Sequence, residues 1–299
     1  MKNYEVRRNL SPVVIVSCVL LVFAAATTAA ALTPIPVTTC QTIAHSGLFV
    51  VQNNLNATSG DCIVIAARSV TLALNGYTLT GGGTGAGVHV RGYTSRFALV
   101  TGVFIQGGGA TISGFAYGIR NDAIGTGGDN FSLQNNTADG LLIYNAWGSS
   151  FFINDVSFNS GSGVHIFGGG NNLVSKGTAG NNATYGAWVQ SSSGNSIVGL
   201  MATNNGIAGV YIGCNPAFNG KSSRCGRNPS SDGNFVYDNS AAGNSFGVVI
   251  DADGTANSIT NNNVFANTNY DAVDENANCD ADAWFGNFAG MTKNLLCIQ

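Results

Sequence analysis

Charge is what this chain has least of. Only 12 Lys and Arg and 15 Asp and Glu occur in 299 residues, 9% in all. That is too few for a protein built of helices with charged solvent faces. Basic residues are the scarcer kind, which argues against nucleic acid as the main partner and against anionic membrane surfaces. There are 3 Met and 3 His, and no Cys-x-x-Cys pair, so zinc lacks its usual ligand spacing. No Lys or Arg lies between Asn228 and Thr292, which leaves the C-terminal part of the chain acidic. What is abundant is small or apolar: 41 Gly, and 44% hydrophobic residues. Such a chain is apolar enough to fold, yet too rich in Gly and Asn for long elements.

The glycines are not scattered. Gly140-Leu-Leu-Ile, Gly163-Val-His-Ile, Gly186-Ala-Trp-Val and Gly209-Val-Tyr-Ile recur every 23 residues, each with an asparagine four residues earlier (Asn136, Asn159, Asn182, Asn205). A fixed period in the low twenties signals a repeat architecture. Apolar residues alternate with others inside each unit, so the repeating element is a strand, and Asn and Gly mark its turns. The next start, Gly247, follows after 38 residues, which is 23 plus an insertion of 15 containing Cys214 and Cys225. Upstream starts stand at Gly118 and Gly87, and the last at Tyr270. The spacing predicts an all-β fold, a parallel β-helix of about eight coils over residues 62–275, and an internal amide ladder at the Asn turn.

Residues 1–31 read as a signal peptide, with Lys2, Arg7 and Arg8, an apolar run from Val13 to Ala26 and a small-residue site at Ala29–Ala31. Its removal takes 12 basic and 15 acidic residues to 9 and 14, and leaves no stable membrane span. Residues 32–61 read as an N-terminal cap and 276–299 as a C-terminal cap in which Trp284 and Phe285 cover the last coil. Six cysteines remain, in three sequence-local pairs: Cys40 with Cys62, Cys214 with Cys225, and Cys279 with Cys297. An even count behind a signal peptide suggests disulfides closing the caps in a secreted or periplasmic protein.

The run Asp61-Cys-Ile-Val-Ile65, then Val70-Thr-Leu-Ala-Leu-Asn-Gly-Tyr-Thr-Leu79, followed by Gly-Ile/Val coils with Asn turns, resembles the right-handed parallel β-helix repeat family. That family includes the pectate-lyase-like superfamily and the periplasmic proteins linked to copper-site maturation of nitrous oxide reductase. The resemblance spans about residues 40–299 and implies a groove along one sheet, often used for polysaccharides.

Alternation places the residues one and three after each glycine inward and those two and four after it outward. The outward set includes His89, Arg91, Arg120, Asp122, Tyr144, His165, Phe167, Trp188, Tyr211, Asp251 and Asp274. The aromatic members and His89 and Arg91 read as a binding surface for a glycan, since sugars pack on rings while polar groups orient them. Arg suits the carboxylate of a uronate. His165, flanked by Tyr144, Arg120 and Asp122, is the candidate base of a lyase or epimerase, a more natural chemistry for these residues than hydrolysis. Asp251, Asp274 and Glu275 are the candidate metal ligands, with calcium the only cofactor suggested.

Against turnover, the sequence has no Trp-Ile-Asp-His run as in pectate lyases, no Asp-Asp or Gly-His-Gly as in polygalacturonases, and no Asp-Pro-His-Glu as in alginate epimerases. Three readings therefore stand: a secreted polysaccharide-binding or polysaccharide-processing β-helix, a non-catalytic surface or adhesive rod, and a periplasmic metal-handling protein. The last has only His89 and His165 to offer, about three coils apart.

Overall fold

The computed structural model of the chain describes residues 33–214, 230–252, 254–276, 281–293 and 297–298. Residues 1–31, read above as a signal peptide, and Cys225, Asp253 and Cys279 lie outside the described residues. Every described element is a strand. No helix among the described residues is long and apolar enough to cross a membrane. The strands form a right-handed parallel β-helix of about ten turns, in sheets of 13, 11 and 5 strands. Ten turns exceed the expected eight because rungs continue into both flanking segments. Gln41–Ile43 pairs with Ile63–Ile65, and Thr292–Lys293 pairs with Tyr270–Asp274.

The 11-stranded sheet, here the front sheet, holds the Gly-apolar repeats. Leu141 pairs in register with Val164, then Ala187, Val210 and Val248, so the 23-residue step of the sequence is one physical turn. Leu141, Ile143, Val164, Ile166, Ala187 and Val189 point inward and are fully buried. Each Leu, Ile or Val among them stabilises the fold by about 1.5–3 kcal/mol relative to exposure. The repeated glycine has a steric cause. A Cβ on Gly140 would stand 2.8 Å from the Gly163 carbonyl oxygen, and one on Gly186 2.6 Å from that of Gly209.

The asparagines form the expected ladder. Each Nδ2 donates to the Oδ1 one turn on: Asn136 to Asn159 at 3.0 Å, Asn159 to Asn182 at 3.1 Å and Asn182 to Asn205 at 3.0 Å. The series continues through Asn244 to Asn267. It ends on Asp271, whose Oδ1 accepts from the Asn267 backbone N–H at 3.1 Å and Nδ2 at 2.9 Å. Its Oδ2 accepts from the N–H groups of Gly290 (3.0 Å) and Met291 (2.9 Å). A carboxylate suits the final position because it only accepts. Burial alone would raise its pKa, but the hydrogen bonds from Met291, Asn267 and Gly290 outweigh that and hold it below the ordinary value. A second ladder through Asn172, Asn195, Asn234 and Asn257 likewise ends on Asp282.

In the front sheet the register departs from the 23-residue count near the end. Val248 pairs with Ala272 and Ile250 with Asp274, a step of 24. A one-residue slip turns every side chain to the other face. The sequence places Asp274 outward beside Asp251; the structure places it inward, 1% exposed. There it accepts from Trp284 Nε1 at 2.9 Å and the Asn276 N–H at 3.0 Å. Trp284 joins the core, whereas Phe285 is 75% exposed.

Cys40 and Cys62 form a disulfide between the first two rungs of the front sheet. Cys214 and Cys297 are also disulfide-bonded, with partners outside the described residues.

Candidate functional site

The outward columns of the front sheet come together as the alternation predicts. Strand pairing puts His89 beside Arg120, then Leu142, His165, Trp188 and Tyr211. Tyr144 pairs with Phe167, and Phe167 with Gln190. Two distinct clusters result.

The first is ionic. His89 lies between two carboxylates, with Nδ1 2.7 Å from Asp61 Oδ2 and Nε2 3.1 Å from Asp122 Oδ2. Burial would lower the imidazole pKa, but the bonds to Asp122 and Asp61 outweigh it and raise the pKa above its ordinary value. Asp122 also accepts from Arg120, Nε to Oδ1 at 2.9 Å and to Oδ2 at 3.2 Å, and Nη2 to Oδ2 at 3.0 Å. Its pKa is held low: burial pushes upward, and the His89 and Arg120 bonds more than offset this. The Arg120 guanidinium sits 5.3 Å from the Tyr144 ring centroid, within cation–π range. Asp61, the second carboxylate on His89, is a site residue that outward counting from the glycines misses. It stands before the strand, at the turn.

The second cluster is aromatic. The His165 ring stacks on Trp188, centroids 4.4 Å apart. Its Nδ1 faces Asp139 Oδ2 at 3.1 Å and its Nε2 faces Gln190 Oε1 at 3.0 Å. Asp122 and Arg120 therefore belong to His89, not to His165. Arg120 and His165 are two rungs apart, roughly 10 Å by strand spacing. The expected grouping of His165 with Tyr144, Arg120 and Asp122 is split, and both nitrogens of His89 and of His165 are engaged.

Stacking also changes what the rings offer. Tyr144 lies on Phe167 with centroids 5.4 Å apart and planes at 12°, and Arg120 covers its other side. Trp188 lies between His165 and Tyr185, the latter at 5.0 Å, and its Nε1 donates to the Gly213 carbonyl at 3.0 Å. Tyr211 has no exposed surface; it packs with Tyr185, Val249 and Val273 and donates to Asp251 Oδ2 at 2.8 Å. The ring faces in these columns are thus largely taken by neighbouring rungs. Arg91 is exposed where the chain leaves the strand.

The candidate metal residues do not converge. Asp274 faces inward, Asp251 receives Tyr211, and Glu275 pairs with Lys293 at 2.6 Å. Among the described residues no group of three His, Cys, Asp or Glu side chains is placed to hold a metal. His89 and His165 are three rungs apart, roughly 14 Å.

Ring faces left open are found at the turn after the front strands. Residues 92–99 form a hairpin, closed by an antiparallel bridge between Tyr93 and Leu99 and by the Thr94 N–H donating to the Ala98 carbonyl at 2.8 Å. Thr94 Oγ1 accepts from the N–H groups of Arg96 and Ala98, both at 3.2 Å. Tyr93 is 58% exposed. Between this hairpin and the next rungs lies a cavity of about 370 Å³, lined by Tyr93, Leu99, Asp122, Ile124, Tyr144 and Asn145. Beyond it Trp147 is 49% exposed. Its ring lies over Gly170, where a Cβ would stand 2.8 Å from the indole. The only sequence signal for the hairpin is the step of 31 from Gly87 to Gly118, longer than one turn. Trp147 carries no periodic mark.

No protein-family model and no curated protein sequence matches this chain. Solved structures do. The periplasmic alginate epimerase AlgG is similar over 87% of this chain and 73% of its own, at TM-score 0.60 and 14% identity. The A-module of Azotobacter vinelandii mannuronan C-5 epimerase AlgE4 is similar over 89% and 92%, at TM-score 0.55 and 13% identity. Dettilon tailspike protein is similar over 87% of this chain and 60% of its own, at TM-score 0.59 and 13% identity. The shared feature is the right-handed parallel β-helix. Identity this low establishes fold alone. The resemblance to copper-maturation proteins finds no support among these structures.

Proposed function

We propose that this chain binds a polysaccharide at the turn beside the front sheet, with the Tyr93–Tyr144 cavity as a sugar subsite. The observation that carries this reading is the cavity itself. Its walls are apolar (Tyr93, Leu99, Ile124, Tyr144), with one carboxylate and one amide, Asp122 and Asn145, to orient a ligand. That mixture suits a ring with apolar C–H faces and hydroxyl edges. Asp122 is held in place by His89 and Arg120, so its orientation is fixed before a ligand arrives. Trp147 continues the surface along the same turn. The similar epimerases, described as acting on alginate and mannuronan, are consistent with it.

The geometry favours binding over turnover. His89 and His165 each have both nitrogens engaged, and the one arginine of the cluster is committed to Asp122. A secreted or periplasmic setting accords with the Cys40–Cys62 disulfide and with the periplasmic AlgG. Affinity electrophoresis in gels cast with a panel of polysaccharides tests the proposal. Retardation by at least one polymer, reduced about fivefold or more in Tyr93→Ala and Trp147→Ala variants, is the expected result. No retardation by any polymer would return the protein to the non-catalytic rod reading.

A further inference from the structure

On the other side of the 92–99 hairpin lies a second cavity, about 540 Å³, lined by His45, Ser46, Arg68, Thr94, Ser95 and Arg96. Resting on the polysaccharide reading above, we infer that this cavity is an anion subsite, and that the bound polysaccharide is acidic, carrying a carboxylate or sulfate group that docks between Arg68 and Arg96.

Three observations carry this. The first is uncompensated charge. Among the described residues Arg120 pairs with Asp122 and Lys293 with Glu275, whereas neither Arg68 nor Arg96 makes an ion pair. No Asp or Glu lines the cavity. Two guanidinium groups facing one concavity without a carboxylate repel each other, and an anion between them removes that cost. The second is preorganisation. Arg68 Nε donates to the Leu99 carbonyl at 2.6 Å, which ties the guanidinium to the hairpin and leaves the terminal nitrogens to donate in a fork. Ser46 and Ser95, which also line the cavity, carry hydroxyl groups able to donate. The third is the distribution of charge along the solenoid. Between residues 33 and 121 the chain has Arg68, Arg91, Arg96 and Arg120 against Asp61 alone. From residue 230 to 276 it has acids and no Lys or Arg. The basic end is the end with both cavities, in a protein whose net charge is −3.

The hairpin joins the two cavities. Tyr93 and Leu99 face one, and Thr94, Ser95 and Arg96 the other. Their rungs are about two apart, roughly 10 Å by strand spacing. One chain of sugars can lie along the turn with a ring against Tyr93 and the edge of Tyr144 and an anionic substituent further on at Arg68 and Arg96. Arg120 is not free for that task, because Asp122 already takes its fork.

Calorimetry with the whole protein tests this. Each acidic polysaccharide of a panel (polygalacturonate, alginate, hyaluronate and a sulfated galactan) is paired with its esterified or desulfated form. Wild type should bind at least one acidic member about tenfold or more tighter than its neutral partner, with affinity falling as salt rises. That is the size of change one charge-assisted hydrogen bond produces. Arg68→Gln/Arg96→Gln should abolish the difference, and Arg96→Gln alone, which keeps the Arg68–Leu99 bond, should narrow it with the neutral affinity unchanged and an unaltered circular dichroism spectrum. The carboxylate and sulfate arms distinguish the two anions. Equal wild-type affinity for acidic and neutral forms, or a double variant that keeps the preference, overturns the inference and leaves the polysaccharide reading standing. Binding of no polymer at all overturns both.

Discussion

The imidazole of His165 and the indole of Trp188 lie parallel, with centroids 4.4 Å apart and planes at 4°. The stack joins adjacent rungs, and Tyr185 meets the indole from elsewhere. Trp188 is therefore a packing residue of the outer face. Trp188→Ala is expected to destabilise the fold by about 3 kcal/mol, read as a lower urea midpoint at unchanged slope. Polysaccharide affinity of the folded variant should stay within about twofold. A stable variant that has lost binding would contradict this and restore Trp188 as a sugar platform.

The clamp on His89 makes stability depend on pH from both sides. Its folded pKa is raised above 6.5. The stabilisation is fully present below 6.5 and disappears as pH rises through the folded value. The folded pKa of Asp122 is lowered below 3.8. Its stabilisation is present above 3.8 and disappears as pH falls through the folded value. The Tm should thus show a plateau between these limits and a decline on either side. His89→Gln should remove the alkaline decline. If the alkaline limb is identical in that variant, the clamp does not contribute.

Asp271 closes the longest amide ladder with four accepted hydrogen bonds. Its depressed pKa makes the C-terminal rungs lose stability as pH falls through its folded value. Asp271→Asn brings an amide against donors and should cost about 2 kcal/mol near neutral pH. It should also flatten the acid limb of an equilibrium denaturation series. An acid limb unchanged from wild type would show that the ladder ends elsewhere.

Within the same ladder, Asn182 Oδ1 accepts from the Asn159 backbone N–H at 3.0 Å and from its Nδ2 at 3.1 Å. Asn182→Ala leaves that buried N–H without an acceptor. A loss of about 2 kcal/mol in chemical denaturation is expected. A change below about 0.5 kcal/mol would mean the ladder is ornamental.

The fold was legible because one steric fact and one hydrogen-bond fact repeat at every turn. Glycine stands where the next carbonyl leaves no room for Cβ, and asparagine stands where an amide must both donate and accept. Gly140, Gly163, Gly186 and Gly209 with their asparagines therefore mark the rungs without further information. The site was less legible. Alternation found His89, Arg120, Asp122 and Tyr144 on one surface. It could not show that His165 is held by Asp139 as well as by Gln190 of the next strand, because Asp139 comes from a turn. Asp274 was misplaced by a single extra residue between Gly247 and Asp271, which period counting does not resolve. Tyr93, Trp147, Arg68 and Arg96 went unnoticed because they sit in turns and in a hairpin, where no period constrains them. Ring faces were misjudged for a related reason: rungs about 4.8 Å apart stack equivalent side chains on each other, so periodic aromatics tend to consume their own faces.

Hydrogen–deuterium exchange with and without a bound polysaccharide tests the binding surface most directly. Protection confined to residues 92–99, 122–124 and 144–147, extending to 44–46 and 66–68 when the polymer is acidic, is the predicted result. Protection confined to the 5-stranded sheet, or no change at the hairpin under saturating polymer, would contradict it.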